Sequence, residues 1–148
     1  MTTLDAPLVY ATRTRTSSHS AGALWAGRAL SGLAVVFLTW DAGVKLVRHP
    51  MAVAGTAELG YRPDSLPMIG TIALVCLALY VIPPTAILGA VLWTGYLGGA
   101  IATHLRVSNP LFTHTLFPLY IALLLWGGLA LRDPRVLVFF GFTRGRER

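Results

Sequence analysis

Between Leu24 and Leu131 the chain is a succession of four long apolar stretches with few charges inside them. Within lipid, every backbone polar group must be satisfied by the protein itself, so only helices and closed barrels can span. Each stretch approaches the roughly 20 residues that a helix needs to cross the hydrocarbon layer. The predicted fold class is therefore all-α, a bundle of four transmembrane helices. Composition agrees: 12% of the residues are charged, against about a quarter in a typical soluble domain.

The spans are expected at about residues 24–46, 66–82, 84–105 and 112–131, within a membrane domain of residues 24–134. Residues 1–23, polar and rich in Thr and Ser, read as a disordered tail. Residues 135–148 read as an interfacial segment whose basic end, Arg144, Arg146 and Arg148, suits anionic headgroups. Between the first two spans, Pro50 and Gly60 mark the start and stop of a short helix. The first stretch is longer than a signal-peptide core and ends in Trp40-Asp41 rather than a cleavage site, so it is expected to be retained.

The net charge of +6 would suit a nucleic-acid binder, but the basic residues lie in tails and loops, where membrane topology places them. With four spans both termini share one side. That side carries Arg13, Arg15, Arg28, Arg132, Arg135, Arg144, Arg146 and Arg148; the other carries Lys45, Arg48, Arg62 and Arg106. The excess predicts cytoplasmic N and C termini, in what reads as a bacterial cytoplasmic membrane. The single cysteine, Cys76, rules against a disulfide within the chain and reads as an apolar packing residue.

Polar residues inside or beside the spans are the candidates for function. The topology gathers Asp41, Lys45, His104, Arg106, Asn109 and His114 at the outer end, with Glu58, Tyr61, Arg62 and Asp64 able to lie over them. Asp41 and Lys45 are four apart on one helix, the spacing of an ion pair. They either orient the helix end or form the wall of a polar pocket for a ligand or a proton. His104 and His114 flank a turn and should lie at similar depth. With no carboxylate or cysteine at ligand spacing beside them, they read as hydrogen-bonding and proton-exchange groups rather than metal ligands. Arg28 either snorkels to headgroups or reaches the carbonyls near Pro83.

The third span carries a row of small residues. Ala90, Thr94, Gly98 and Ala102 recur every fourth position, and Gly95 and Gly99 form GxxxG, so this helix is expected to meet close neighbours in the bundle or in a second chain. Trp93, Tyr96 and Trp126 are packing or lipid-facing aromatics, against which a quinone could also stack.

The run from Gly95 to Arg106, ending in Thr-His-Leu-Arg, together with Arg28, Gly32, Phe37, Gly43, Lys45 and Leu46 on the first helix, resembles the DoxX-like family of small four-helix membrane proteins. Gly60-Tyr61 and Pro83 fit as well. Some members are named as subunits of a thiosulfate:quinone oxidoreductase, and others are linked to oxidative-stress complexes. The resemblance implies an accessory subunit of a redox complex, with no covalent cofactor and with quinone as the candidate ligand. It carries over no catalytic residue. Many relatives have an acidic residue early in the second helix, where this chain reads Gly70-Thr-Ile-Ala-Leu74. The alternative is a non-catalytic scaffold or lipophile-binding protein, either of which can form a homodimer through the third helix.

Overall fold

The computed structural model describes residues 20–141. Six α-helices follow one another: α1 (Ala21–Leu46), α2 (Pro50–Glu58), α3 (Leu66–Val81), α4 (Ala86–Arg106), α5 (Phe117–Arg132) and α6 (Arg135–Phe139). Four segments are long and apolar enough to cross a membrane: Ala21–Leu46, Pro63–Val81, Pro83–Arg106 and Leu111–Arg132. The expected spans are thus present. The expected tail at residues 1–23 and the basic end of the C-terminal segment lie mostly outside the described residues, and the helix boundaries differ for local reasons.

α1 begins at Ala21 because the Ser20 side chain caps it, accepting from the Ala23 amide at 3.2 Å, as a helix N-cap does. Short 3-10 turns, Pro63–Ser65 and Pro83–Thr85, lead into α3 and α4. The fourth span is not one continuous α-helix. Leu111–Thr115 is a wide turn in which the Leu116 amide donates to the Leu111 carbonyl, and α5 starts afresh at Phe117. Pro118 explains the restart, since it has no N–H to continue the earlier ladder and is tolerated in a first turn.

α1 packs on α3 and α5, and α4 also packs on α3 and α5, so the four long helices form a closed ring. α2 lies over the α1–α3 end and α6 folds against α5. The bundle therefore has two ends. One holds the Pro83 turn, the start of α1 and the α5–α6 corner; the other holds α2 and the turn between His104 and His114.

The outward faces carry Trp25, Val36, Trp40, Leu88 and Leu123, all exposed, while small residues such as Ala34, Ala42, Ala73 and Ala90 are buried. The interior also holds large residues such as Trp93, Tyr80 and Leu125. The large apolar residues outside suit a bundle solvated by lipid, and the small ones inside permit close backbone approach.

Close approach is tightest at the Pro83 end, although at the other end a Cβ on Gly70 of α3 would also lie 3.0 Å from the Ala42 carbonyl oxygen of α1. A Cβ on Gly128 would lie 2.5 Å from Ser31 Oγ, and one on Gly27 would lie 2.9 Å from the Gly128 carbonyl oxygen, so α1 and α5 cross through these glycines. On α4, a Cβ on Gly89 would overlap the Tyr80 backbone. Beside these crossings the buried Tyr80 hydroxyl donates to the Leu125 carbonyl at 2.9 Å and is bonded to Ser31 Oγ at 3.0 Å. Tyr80 thereby ties α3 to both α1 and α5.

The small-residue row on α4 divides. Ala86 and Ala90 are buried, but Thr94, Gly95, Gly98, Gly99 and Ala102 are exposed. A Cβ on Gly95, Gly98 or Gly99 would meet no atom within 4 Å. Within this chain, only the first half of the row packs closely. Thr94 has another task, accepting from Trp126 Nε1 at 2.9 Å. Trp126 in turn meets Phe139 and Phe140, which holds α6 in place.

Arg28 lies over the Trp25 ring, 5.6 Å from its centroid. The contact to the Pro83 carbonyl, one of the two readings for Arg28, is instead made by Arg135, which donates to it at 2.6 Å while also holding the Asp133 carboxylate. Arg135 reaches it because Asp133 and Pro134 turn the chain back toward the α3–α4 connection.

Candidate functional site

At the end away from Pro83 the ring opens into a cavity of about 350 Å³. Its body is apolar, with Phe37 and Leu38 from α1, Ile69 and Ile72 from α3, Leu97 from α4 and Ile121 from α5. Its polar end holds Asp41 and Lys45 from α1 and Thr103 and His104 from α4. Thr56, Leu59 and Tyr61, from α2 and the segment after it, close the top. The size lies within the range of small-molecule sites, which commonly span about 300–1,000 Å³ and pair apolar walls with a few placed polar groups.

Asp41 and Lys45 form the expected ion pair one turn apart on α1, and both side chains are largely covered. Lys45 Nζ has three donors, so the pair leaves it donors to spare. On α4, His104 Nδ1 is 2.9 Å from the Asn109 amide nitrogen. With the amide in this orientation Nδ1 accepts, so neutral His104 carries its proton on Nε2. The same turn is closed by the Asn109 amide donating to the His104 carbonyl at 3.1 Å.

The cover is anchored to α4. Tyr61 OH is bonded to Thr103 Oγ1 at 3.2 Å, and Thr103 Oγ1 donates to the Gly99 carbonyl at 2.8 Å. Arg106 donates to the Leu59 carbonyl at 2.6 Å. Gly60 stands in the left-handed region at φ 81°, and a Cβ there would lie 3.2 Å from the Arg106 guanidinium. Only glycine combines that turn with that contact without strain. Of the other loop residues expected over the site, Asp64 pairs with Arg48 at 3.5 Å, and Glu58 and Arg62 do not line the cavity.

Asp41, Lys45 and His104 therefore share one cavity. His114 does not line it. The wide turn at Leu111–Thr115 leaves His114 exposed, its Nδ1 bonded to Thr113 Oγ1 at 2.8 Å and its ring edge-on to His104 at 6.1 Å between centroids. Among the described residues no three His, Cys, Asp or Glu side chains are grouped to hold a metal ion. Trp93 is buried and edge-on to Tyr96, 5.0 Å between centroids, and of the two only Tyr96 lines the cavity. Of the polar lining groups, Thr56 was not singled out by the sequence, and Thr103 stood out only as a small residue next to His104 in the motif that carried the resemblance.

The model of the DoxX-like family matches residues 29–128, which contain α3, α4, most of α1 and α5, and every residue lining this cavity. The chain belongs to the DoxX-like family. No curated protein and no solved structure matches it. With four spanning segments, this DoxX-like protein is an integral membrane protein.

Proposed function

We propose that this DoxX-like protein binds a lipophilic molecule with a carbonyl-bearing head, of the quinone class, in the cavity beside His104. The observation that carries the reading is the division of the cavity into an apolar body and a donor-bearing polar end. Lys45 Nζ and His104 Nε2–H can donate to carbonyl oxygens, and Asp41 holds the Lys45 charge in place. A bound quinone would supply electron-carrying chemistry to a redox partner, and this chain would act as that partner's membrane-embedded accessory. The chain's own residues bind and orient the head and shield it from water.

Phe37, Ile72 and Phe117 line the cavity and are exposed. Phe37 and Phe117 meet edge-on, 5.5 Å between centroids, across the α1–α5 seam. This exposed aromatic seam between α1 and α5 supports entry from the lipid phase.

Photo-crosslinking with an azido-substituted quinone tests the reading. Labelled peptides should map to residues 37–45 of α1 and 96–104 of α4, and Ala100→Trp, which fills the cavity, should abolish the labelling. Label on outward-facing positions, or label indifferent to Ala100→Trp, would refute it.

A second reading rests on the exposed half of the α4 row. The open space beside Gly95 and Gly98 supports a scaffold that pairs with a second copy through this face. The excess of basic residues on one side supports cytoplasmic termini in a bacterial inner membrane, which reporter fusions at either terminus would check.

A further inference from the structure

We propose that the cleft at the Pro83 end is a second site, one that binds a phosphate-type oxyanion between Arg28 of α1 and Arg132 of α5. The cleft has a volume of about 200 Å³ and is lined by these two arginines together with Pro83, Asp133 and apolar residues of α1, α4 and α5.

Among the described residues the charges at this end do not balance. Asp133 is the one carboxylate among the described residues that line the cleft, and both its oxygens are engaged by Arg135, at 3.0 Å from Nε and 2.5 Å from a terminal nitrogen. Arg28 and Arg132 have no ion-pair partner among the described residues. Two guanidinium groups, Arg28 and Arg132, thus line the cleft beside one carboxylate whose hydrogen bonds go to Arg135. An unmatched cation at a bundle end near lipid is costly unless a counter-charge meets it.

Arg132 is built into its place. Its guanidinium lies over the Tyr80 ring, 5.2 Å from the centroid, and the Tyr80 hydroxyl is fixed by Leu125 and Ser31. Its Nε is buried with no hydrogen-bond partner. Any acceptor must therefore reach its terminal nitrogens from the cleft. Arg28 has the exposed Trp25 as its neighbour, and tryptophan commonly marks headgroup level. Two guanidinium forks on facing helices suit a tetrahedral oxyanion, to which arginine can donate in pairs. That chemistry belongs both to an anionic phospholipid headgroup and to a soluble phosphate.

The test uses the full chain in neutral detergent, followed by thermal melting with added dioleoylphosphatidylglycerol, dioleoylphosphatidylcholine or inorganic phosphate. The phosphatidylglycerol should raise the melting temperature saturably and more than the phosphatidylcholine. The Arg28→Gln/Arg132→Gln variant should weaken this response by roughly tenfold in midpoint concentration, as loss of charge-assisted contacts does. Arg144→Gln/Arg146→Gln/Arg148→Gln should keep it, separating the cleft from the basic tail. Arg28→Gln alone, at an exposed residue, should give a smaller weakening, so a folding failure at Arg132 does not remove the test. A response to inorganic phosphate that the same arginine substitutions weaken supports the site with a soluble source. The proposal is overturned if neither phosphate-bearing probe stabilises the wild type, if the arginine variants respond like wild type, or if the tail variant abolishes the response.

Discussion

The two ends of the bundle differ in how far their small residues are used for packing. At the Pro83 end, Gly27 and Gly128 let two helices cross almost backbone to backbone, and Gly89 does the same for α3 and α4. At the His104 end Gly70 still packs α3 on α1, but Gly95, Gly98 and Gly99 of α4 have no neighbour where a side chain would begin, and Gly99 borders the cavity. The polar groups differ likewise. Tyr80 and Ser31 satisfy each other and a carbonyl inside the packed end, whereas Lys45 and His104 retain donors beside open space. One end is built as a clamp and the other as a container.

The sharpest way to break this comparison is to add bulk at both ends. Gly128→Leu should prevent recovery of folded protein, and even Gly128→Ala should cost about 1–3 kcal/mol through overpacking against Ser31. Gly98→Ala should change stability by less than about 0.5 kcal/mol. Thermal melts of the purified variants would show the contrast. An equal loss at Gly98 would mean that a second chain packs the outer half of α4, and size-exclusion chromatography coupled to light scattering would then reveal the dimer.

Next in size is the ion pair. Lys45→Met leaves Asp41 unpaired on a largely covered helix face and should cost about 1–3 kcal/mol. Adding Asp41→Leu should recover much of that loss. Failure of the double variant to recover would mean that Lys45 acts on something other than Asp41. At the clamp end, Tyr80→Phe removes the links to Ser31 and Leu125 and should cost about 1 kcal/mol, since hydrogen bonds between membrane helices are modest. No measurable loss would mean that the glycine crossings alone hold this end.

The smallest effect lies at Asp133. Hydrogen bonds from Arg135 hold its carboxyl below the ordinary value of 3.8. A carboxylate whose folded value is depressed contributes stability above its unfolded value, and that contribution is lost as pH falls through the folded one. Asp133→Asn should therefore lower the melting temperature slightly at neutral pH, with the difference from wild type closing below about pH 4. A gap that persists in acid would assign the effect to the Asp133 turn geometry instead of its charge.

Much of the architecture was legible because spanning lipid imposes length and apolarity residue by residue. The meeting of Asp41, Lys45 and His104 followed from the alternation of four spans, which puts the end of α1 and the end of α4 on one face. The position of His114 did not follow. It depends on a wide turn before Pro118, and hydropathy does not distinguish that turn from helix. The small row on α4 suggested close packing along its length, but small residues only permit approach; the partner helices decide whether it occurs. The Gly27–Gly128 crossing is the converse case. Gly27 and Ser31 already stand four apart on α1, but choosing α5 as their partner is a property of the assembled ring.

The most direct test of the container is a thermal melt of wild type and Ala100→Trp across a series of decylubiquinone concentrations. The expected result is a saturable rise in melting temperature for wild type that is absent from the Ala100→Trp variant, whose indole fills the cavity. No rise in wild type, or the same rise in both proteins, would contradict the assignment of this cavity as a ligand site.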